Sequence, residues 1–167
     1  MKMLEKIKLV KLVDFPQMDA GAPLPRIIAD ELKVILLFYL KSPHPHFDAN
    51  EELPAQEIAS ITFNFYLQYK FGSPNDEALN GHKYYKYGLE PYSFYEVQNS
   101  DYIDELEKMN RVHPGHSVVV FSKVKHFLGT FHDSCFETIS RDYNIKVYKK
   151  MLMKDCLLDI VQSMDGE

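Results

Sequence analysis

At 167 residues, with 46% hydrophobic and 26% charged side chains, the chain has apolar surface for one globular domain over 1–167 and little room for a second. Its 19 basic and 24 acidic residues give a net charge of -5, and outside 146–154 the basic ones are scattered, which speaks against nucleic acid as a partner. Two cysteines without zinc or disulfide spacing fit a reducing cytoplasm. A charged N-terminus and the lack of any apolar run near ~20 residues predict a chain that is neither exported by a signal peptide nor inserted in a membrane.

Ile7 to Val13 reads as a first strand, closed by Asp14-Phe15-Pro16. The glycine and two prolines of residues 21–25 forbid regular structure there. Val34 to Leu40 is a near-continuous apolar run of strand length, predicting a central strand buried on both faces, and 42–55, with three prolines, predicts a surface loop. Ile61, Phe63, Phe65, Leu67, Tyr69 and Phe71 then alternate with Thr62, Asn64, Tyr66, Gln68 and Lys70. Period two predicts one long antiparallel strand whose odd-numbered side chains, Phe65 included, face a core.

Residues 72–88 predict a long loop with at most one helical turn, followed by a short strand over Tyr92 to Val97. Asn99 or Ser100 caps a helix carrying Asp101 and Asp104 in its first turn and Tyr102, Ile103, Leu106 and Met109 on its apolar face, stopped by Pro114-Gly115. Val118 to Phe121 fits helix or strand. His126 to His132 predicts a strand, and Ser134 with Glu137 three residues on matches a capping box, predicting a helix from Cys135 to Asp142. A strand over Ile145 to Tyr148 and an amphipathic helix marked by Leu152, Cys156, Ile160 and Met164 complete the chain. The sum is α+β: an antiparallel-leaning sheet with a few helices packed on one face.

Ionisable and nucleophilic side chains concentrate in Phe131-His132-Asp133-Ser134-Cys135-Phe136-Glu137. At a helix start, Cys135 would be a stabilised thiolate with His132 nearby; otherwise it is a small core residue. Asp133 and Glu137 fit an acid/base or metal pair, or a dipole contact and half of the capping box. His82, after Gly81 and close to Asp76, marks a second site element or a capped turn. His113 and His116 flank Pro114-Gly115, and His44 and His46 flank Pro45, but neither pair matches a known zinc pattern. Tyr84, Tyr85, Tyr87, Tyr92 and Tyr95 suit a ligand groove or the core edge.

Several blocks also add up to a resemblance. Gly21-Ala-Pro-Leu-Pro25 with Ala29-Asp-Glu31, Phe71-Gly-Ser-Pro-Asn-Asp-Glu-Ala78 with Gly81-His82 and Gly88-Leu89, Val112-His-Pro-Gly-His116, and Phe131-His-Asp-Ser134 with Phe136-Glu137 resemble a family of small bacterial proteins of unassigned function, over about residues 21 to 137. Tyr102 stands where that pattern has Trp, and Cys135 where it has Thr, which counts against an obligatory cysteine nucleophile. The resemblance implies no activity, substrate or cofactor. It groups residues, and two functions fit the group. One is a non-catalytic domain binding a small molecule or a protein partner through Asp76, His82, Tyr84, His132, Asp133 and Ser134. The other is a small hydrolase or transferase using His132, Asp133 and Glu137 with His82, with or without a divalent metal. Both expect His82 and 131–137 around one concave pocket.

Overall fold

A computed structural model of the protein describes residues 6–41 and 56–164; the predicted 42–55 loop, with His44 and His46, lies outside the described residues. Its strands are β1 (Lys8–Lys11), β2 (Arg26–Ala29), β3 (Lys33–Tyr39), β4 (Ile58–Asn64), β5 (Gln68–Gly72), β6 (Phe94–Gln98), β7 (Lys125–Thr130), β8 (Cys135–Ser140) and β9 (Asp142–Tyr148). Its helices are α1 (Asp101–Asn110), α2 (Val118–Phe121) and α3 (Met153–Met164), and Leu79–Gly81 and Tyr85–Tyr87 form short 3₁₀ turns. None of these helices is long and apolar enough to cross a membrane.

The α+β class and antiparallel pairing hold, but the strands form two sheets: β1-β6-β7-β8-β5 and β2-β3-β4-β9. The apolar run in β3 explains why. Val34, Leu36 and Phe38 point inward with Ala59, Ile61 and Phe63 of β4, and meet Phe94, Phe127, Phe131 and Phe136 from the other sheet. Ile35 and Leu37, on the opposite face of β3, are covered by Met153, Cys156 and Ile160 of α3. The outer face of the five-stranded sheet is closed by α1 through Tyr102 and by 79–89 through Leu79, Tyr84 and Leu89. The helices therefore cover both outer faces, one sheet each, where the sequence predicts a single covered face.

Two predicted elements change. The alternating stretch 61–71 is a bent pair of strands, broken at Phe65, whose φ is 50°. Asn64 pairs with Asp142 and Gln68 with Ile139, so Phe65, Tyr66 and Leu67 lie opposite only Ser140 and Arg141. That extra residue is a bulge, and it turns the paired β4–β5 and β9–β8 ribbon from one sheet into the other. Phe65 ends 56% exposed at this corner, and Leu67 and Phe71 beyond it are exposed as well, so their predicted places in the core are wrong; Tyr69, exposed at its edge, keeps a stacking contact with Phe136.

The predicted helix 135–142 is a strand, β8, joined to β7 by a tight turn at His132-Asp133 in which Phe131 N–H donates to Ser134 O. Ladders on both sides, to β7 and β5, satisfy the backbone that a helix would have satisfied internally, and Thr138 and Ile139 suit the pleat. The capping box does not form. Elsewhere Ser100 caps α1 as its sequence indicates, its hydroxyl accepting from Ile103 N–H.

Candidate functional site

The turn between β7 and β8 lifts His132 to the rim of the sandwich, where the chain leaving β5 crosses it. There Asp76 N–H donates to His132 O, and Asn75 caps the next turn through Ala78 N–H. The Asp76 carboxylate takes two donors on Oδ2: the Tyr92 hydroxyl, and His132 Nδ1 at 2.8 Å. These contacts hold the Asp76 carboxyl below its ordinary range and raise His132, while Asp76 pushes Tyr92 up to about 12. Because Nδ1 carries its proton toward Asp76, Nε2 is the polar atom that the half-exposed His132 ring keeps for other partners.

His132, Asp133 and Ser134 line one side of a groove of about 540 Å³. Phe71, Gly72 and Ser73 at the end of β5 form another wall, and residues 21–26 the third. The groove thus gathers the Gly-Ala-Pro-Leu-Pro block, the start of the Gly-Ser-Pro-Asn block and the His-Asp-Ser turn. Leu24 holds a φ of 42° in its wall, a left-handed backbone rare for leucine. Arg26 also lines it, donating to Leu24 O and having no carboxylate partner among the described residues.

A second cluster lies under the outer face of the five-stranded sheet. Glu137 points out of β8 toward His82 Nε2, 3.5 Å from Oε1, and His126 Nε2, 2.9 Å from Oε2. Although close, His126 Nε2 and Glu137 Oε2 are off the line of a well-formed hydrogen bond, and both are buried. His126 Nδ1 meets the Ser100 hydroxyl at 2.8 Å, and His82 Nδ1 accepts from Tyr84 N–H. Burial alone would raise the Glu137 carboxyl, but the two imidazoles outweigh it and hold it well below the usual carboxylate range; burial pushes His126 down. A neutral His82 whose Nδ1 accepts must carry its proton on Nε2, so this cluster does not present two imidazole lone pairs to a metal. Among the described residues no three His, Cys, Asp or Glu side chains are placed to share a metal ion.

The predicted site residues therefore divide. Asp76, His132, Asp133 and Ser134 gather at the groove or directly behind it, whereas His82, Glu137 and Tyr84 belong to the buried cluster, with Tyr84 donating to Asp101. His82 does meet Glu137, but away from the groove walls, so the expected single pocket resolves into two places. Cys135 is buried, donates to Pro74 O, and its thiol is pushed up to about 12 by burial; it is not the thiolate of a helix start. His113 and His116 are engaged locally at the end of α1, with Gly115 N–H and with Glu107 and Asn110.

Sequence reasoning missed His126 and Arg26 as site residues and did not single out Tyr92. His126 shares one face of β7 with Leu128 while Phe127 takes the other, and the residue pattern does not say what covers the His126 face. Tyr92 was one of five similar tyrosines. No protein-family model, curated protein or solved structure matches the chain, and the site is read from its own geometry.

Proposed function

We propose that this chain is a non-catalytic binding domain of the cytoplasm, taking a small polar ligand in the groove beside the β7–β8 turn, with His132 as its charged contact. The observation that carries this reading is an imidazole fixed at Nδ1 by Asp76 and Tyr92, with Nε2 left over, at the wall of a groove whose volume suits a small molecule. Arg26 adds a second cation and Asp133 an anion along the same walls, and Pro23, Leu24 and Phe71 supply apolar surface. Both cysteines are free and buried, which suits a reducing compartment.

The test is imidazole-resolved NMR with a panel of small carboxylates, phosphates and amino acids. Saturable shifts of the His132 signals, abolished in His132→Ala, are the expected result. No saturable shift at His132 from any member at millimolar concentration, with the fold intact, would reject the groove as a site for ligands of these classes. The Asp76–His132 pair also favours a runner-up, a small hydrolase or transferase with His132 as general base beside Ser73 and Ser134. Turnover of an activated ester or phosphate ester by the native chain, lost in His132→Ala, would replace binding by catalysis.

A further inference from the structure

β2 and β5 are edge strands of different sheets, tied to each other at two points. At one end the Tyr66 hydroxyl, just before β5, donates to Asp30 O, just after β2. At the other, residues 71–73 and 21–26 wall the same groove as His132. Strand parity says what lies between. Ile27 and Ala29 pair with Leu36 and Val34 of the core, and Phe71 pairs with Phe136 while Tyr69 stacks on that ring, so all four belong to the inner faces of the sandwich. Inner-face side chains are ordinarily enclosed by the opposing sheet. Among the described residues, however, Ile27 is only half-buried, Ala29 is exposed, and Tyr69 and Phe71 are 36% and 46% accessible. The two sheets therefore part along this side and leave an apolar cleft running from the groove to the Tyr66–Asp30 contact.

We propose that this cleft takes the tail of a linear aliphatic carboxylate whose head sits at His132 Nε2, an inference that rests on the groove being the ligand site. The length of the cleft sets the tail. Arg26 to Asp30 spans about 13 Å of extended chain, and an extended backbone advances ~3.5 Å per three bonds, so the cleft accommodates a chain of about ten carbons. The surroundings of His132 set the head. Its Nδ1 is fixed on Asp76, which leaves Nε2 to donate, and a carboxylate brings an acceptor oxygen with a single negative charge to that donor. A phosphate ester would bring a second charge toward Asp133 on the same turn and Asp76 behind the ring.

Calorimetric titration of the full chain with butanoate, hexanoate, octanoate, decanoate and tetradecanoate, each below its micelle-forming concentration and with His132 followed by NMR, tests tail and head together. One molecule per chain is expected to bind, about two- to four-fold tighter for each added methylene as far as decanoate and level beyond it. Decan-1-ol and decyl phosphate are each expected to bind about ten-fold or more weakly than decanoate. Ala29→Phe, which fills the cleft from the β2 side, is expected to erase the gain with chain length and leave butanoate unchanged. Tyr69→Asp, which sets a charge on the opposite wall, serves the same purpose should circular dichroism show Ala29→Phe unfolded. Saturable shifts of His132 with affinities that do not rise along the series would overturn the tail and leave the groove as a site for small acids. Decan-1-ol or decyl phosphate matching decanoate would overturn the head. A gain with chain length that survives in the folded variants would put the tail on another surface and overturn the proposal. No shift of His132 from any of these acids would overturn it entirely, and the groove falls with it only if phosphates and amino acids also leave His132 unmoved.

Discussion

Asp76 and Glu137 each hold an imidazole that comes from the other's stretch of sequence. Asp76 and His82 lie in one block, His132 and Glu137 in another, and they cross-pair as Asp76–His132 and Glu137–His82. Asp76→Asn is expected to let the His132 pKa fall back toward its ordinary 6.5, measured by NMR titration of the ring protons. Its sign follows from a folded value above the unfolded one. The stabilisation from His132 is complete below about 6.5 and is lost as pH rises through the raised folded value. Glu137→Gln, by removing the charge two buried imidazoles point at, is expected to cost about 2 kcal/mol in denaturant unfolding. A cost within a few tenths would mean the cluster is incidental to stability. The cross-pairing was half legible: the blocks stood out as polar and titratable, but which carboxylate meets which imidazole depends on strand parity. A capping box would turn Glu137 toward a helix N-terminus, whereas 135–140 is a strand.

At the level of elements, the alternation places Ile61 and Phe63 in the core, but burial does not carry past the bend, beyond which Leu67 and Phe71 are exposed. Ile61 and Phe63 face the core as the alternation says, and the parity survives the bend, since Tyr69 stacks on Phe136 from the same side. What composition does not encode is that the second half of the stretch belongs to an edge. Phe63→Ala is therefore expected to cost roughly 3–5 kcal/mol, and Phe65→Ala well under 1 kcal/mol, because only the first ring is fully enclosed. Equal losses in thermal or chemical unfolding would contradict the bend at Phe65. Cross-strand packing supplies another test. Gly129 pairs with Phe94, and a Cβ at 129 would come within 2.5 Å of the Phe94 ring, itself buried in the core. Gly129→Ala is expected to cost on the order of 1–3 kcal/mol, since a core ring has no free space to move into. Ser134→Ala, in contrast, removes no helix cap, and the ~1 kcal/mol such a cap is worth should not appear.

On the scale of the molecule, two sheets share one aromatic core, and their outer covers differ in kind. The four-stranded sheet is closed by α3 through apolar contacts, while 79–89 and α1 close the other sheet partly through the buried imidazole–carboxylate cluster. That asymmetry gives acid a preferred point of entry. Both His126 and Glu137 have folded pKa values below their unfolded ones, so their stabilisation is present above the unfolded values, near 6.5 and 4.5, and is lost as pH falls through the folded ones. The Asp76–His132 pair has a mixed response: His132 charging favours the fold as pH drops below its raised value, until Asp76 protonates. It is half-exposed and screened by solvent, however, and so it cannot offset the buried cluster. Acidification below about pH 6 is thus expected to loosen 79–89 and the start of α1 before the sandwich opens. Hydrogen exchange, corrected for the intrinsic pH dependence of amide rates, would show protection falling there first while β3 and β4 keep theirs. Simultaneous loss in both regions would mean that the cover and the sandwich unfold as one unit. Early loss at α3 would mean that the imidazole cluster is not where acid acts.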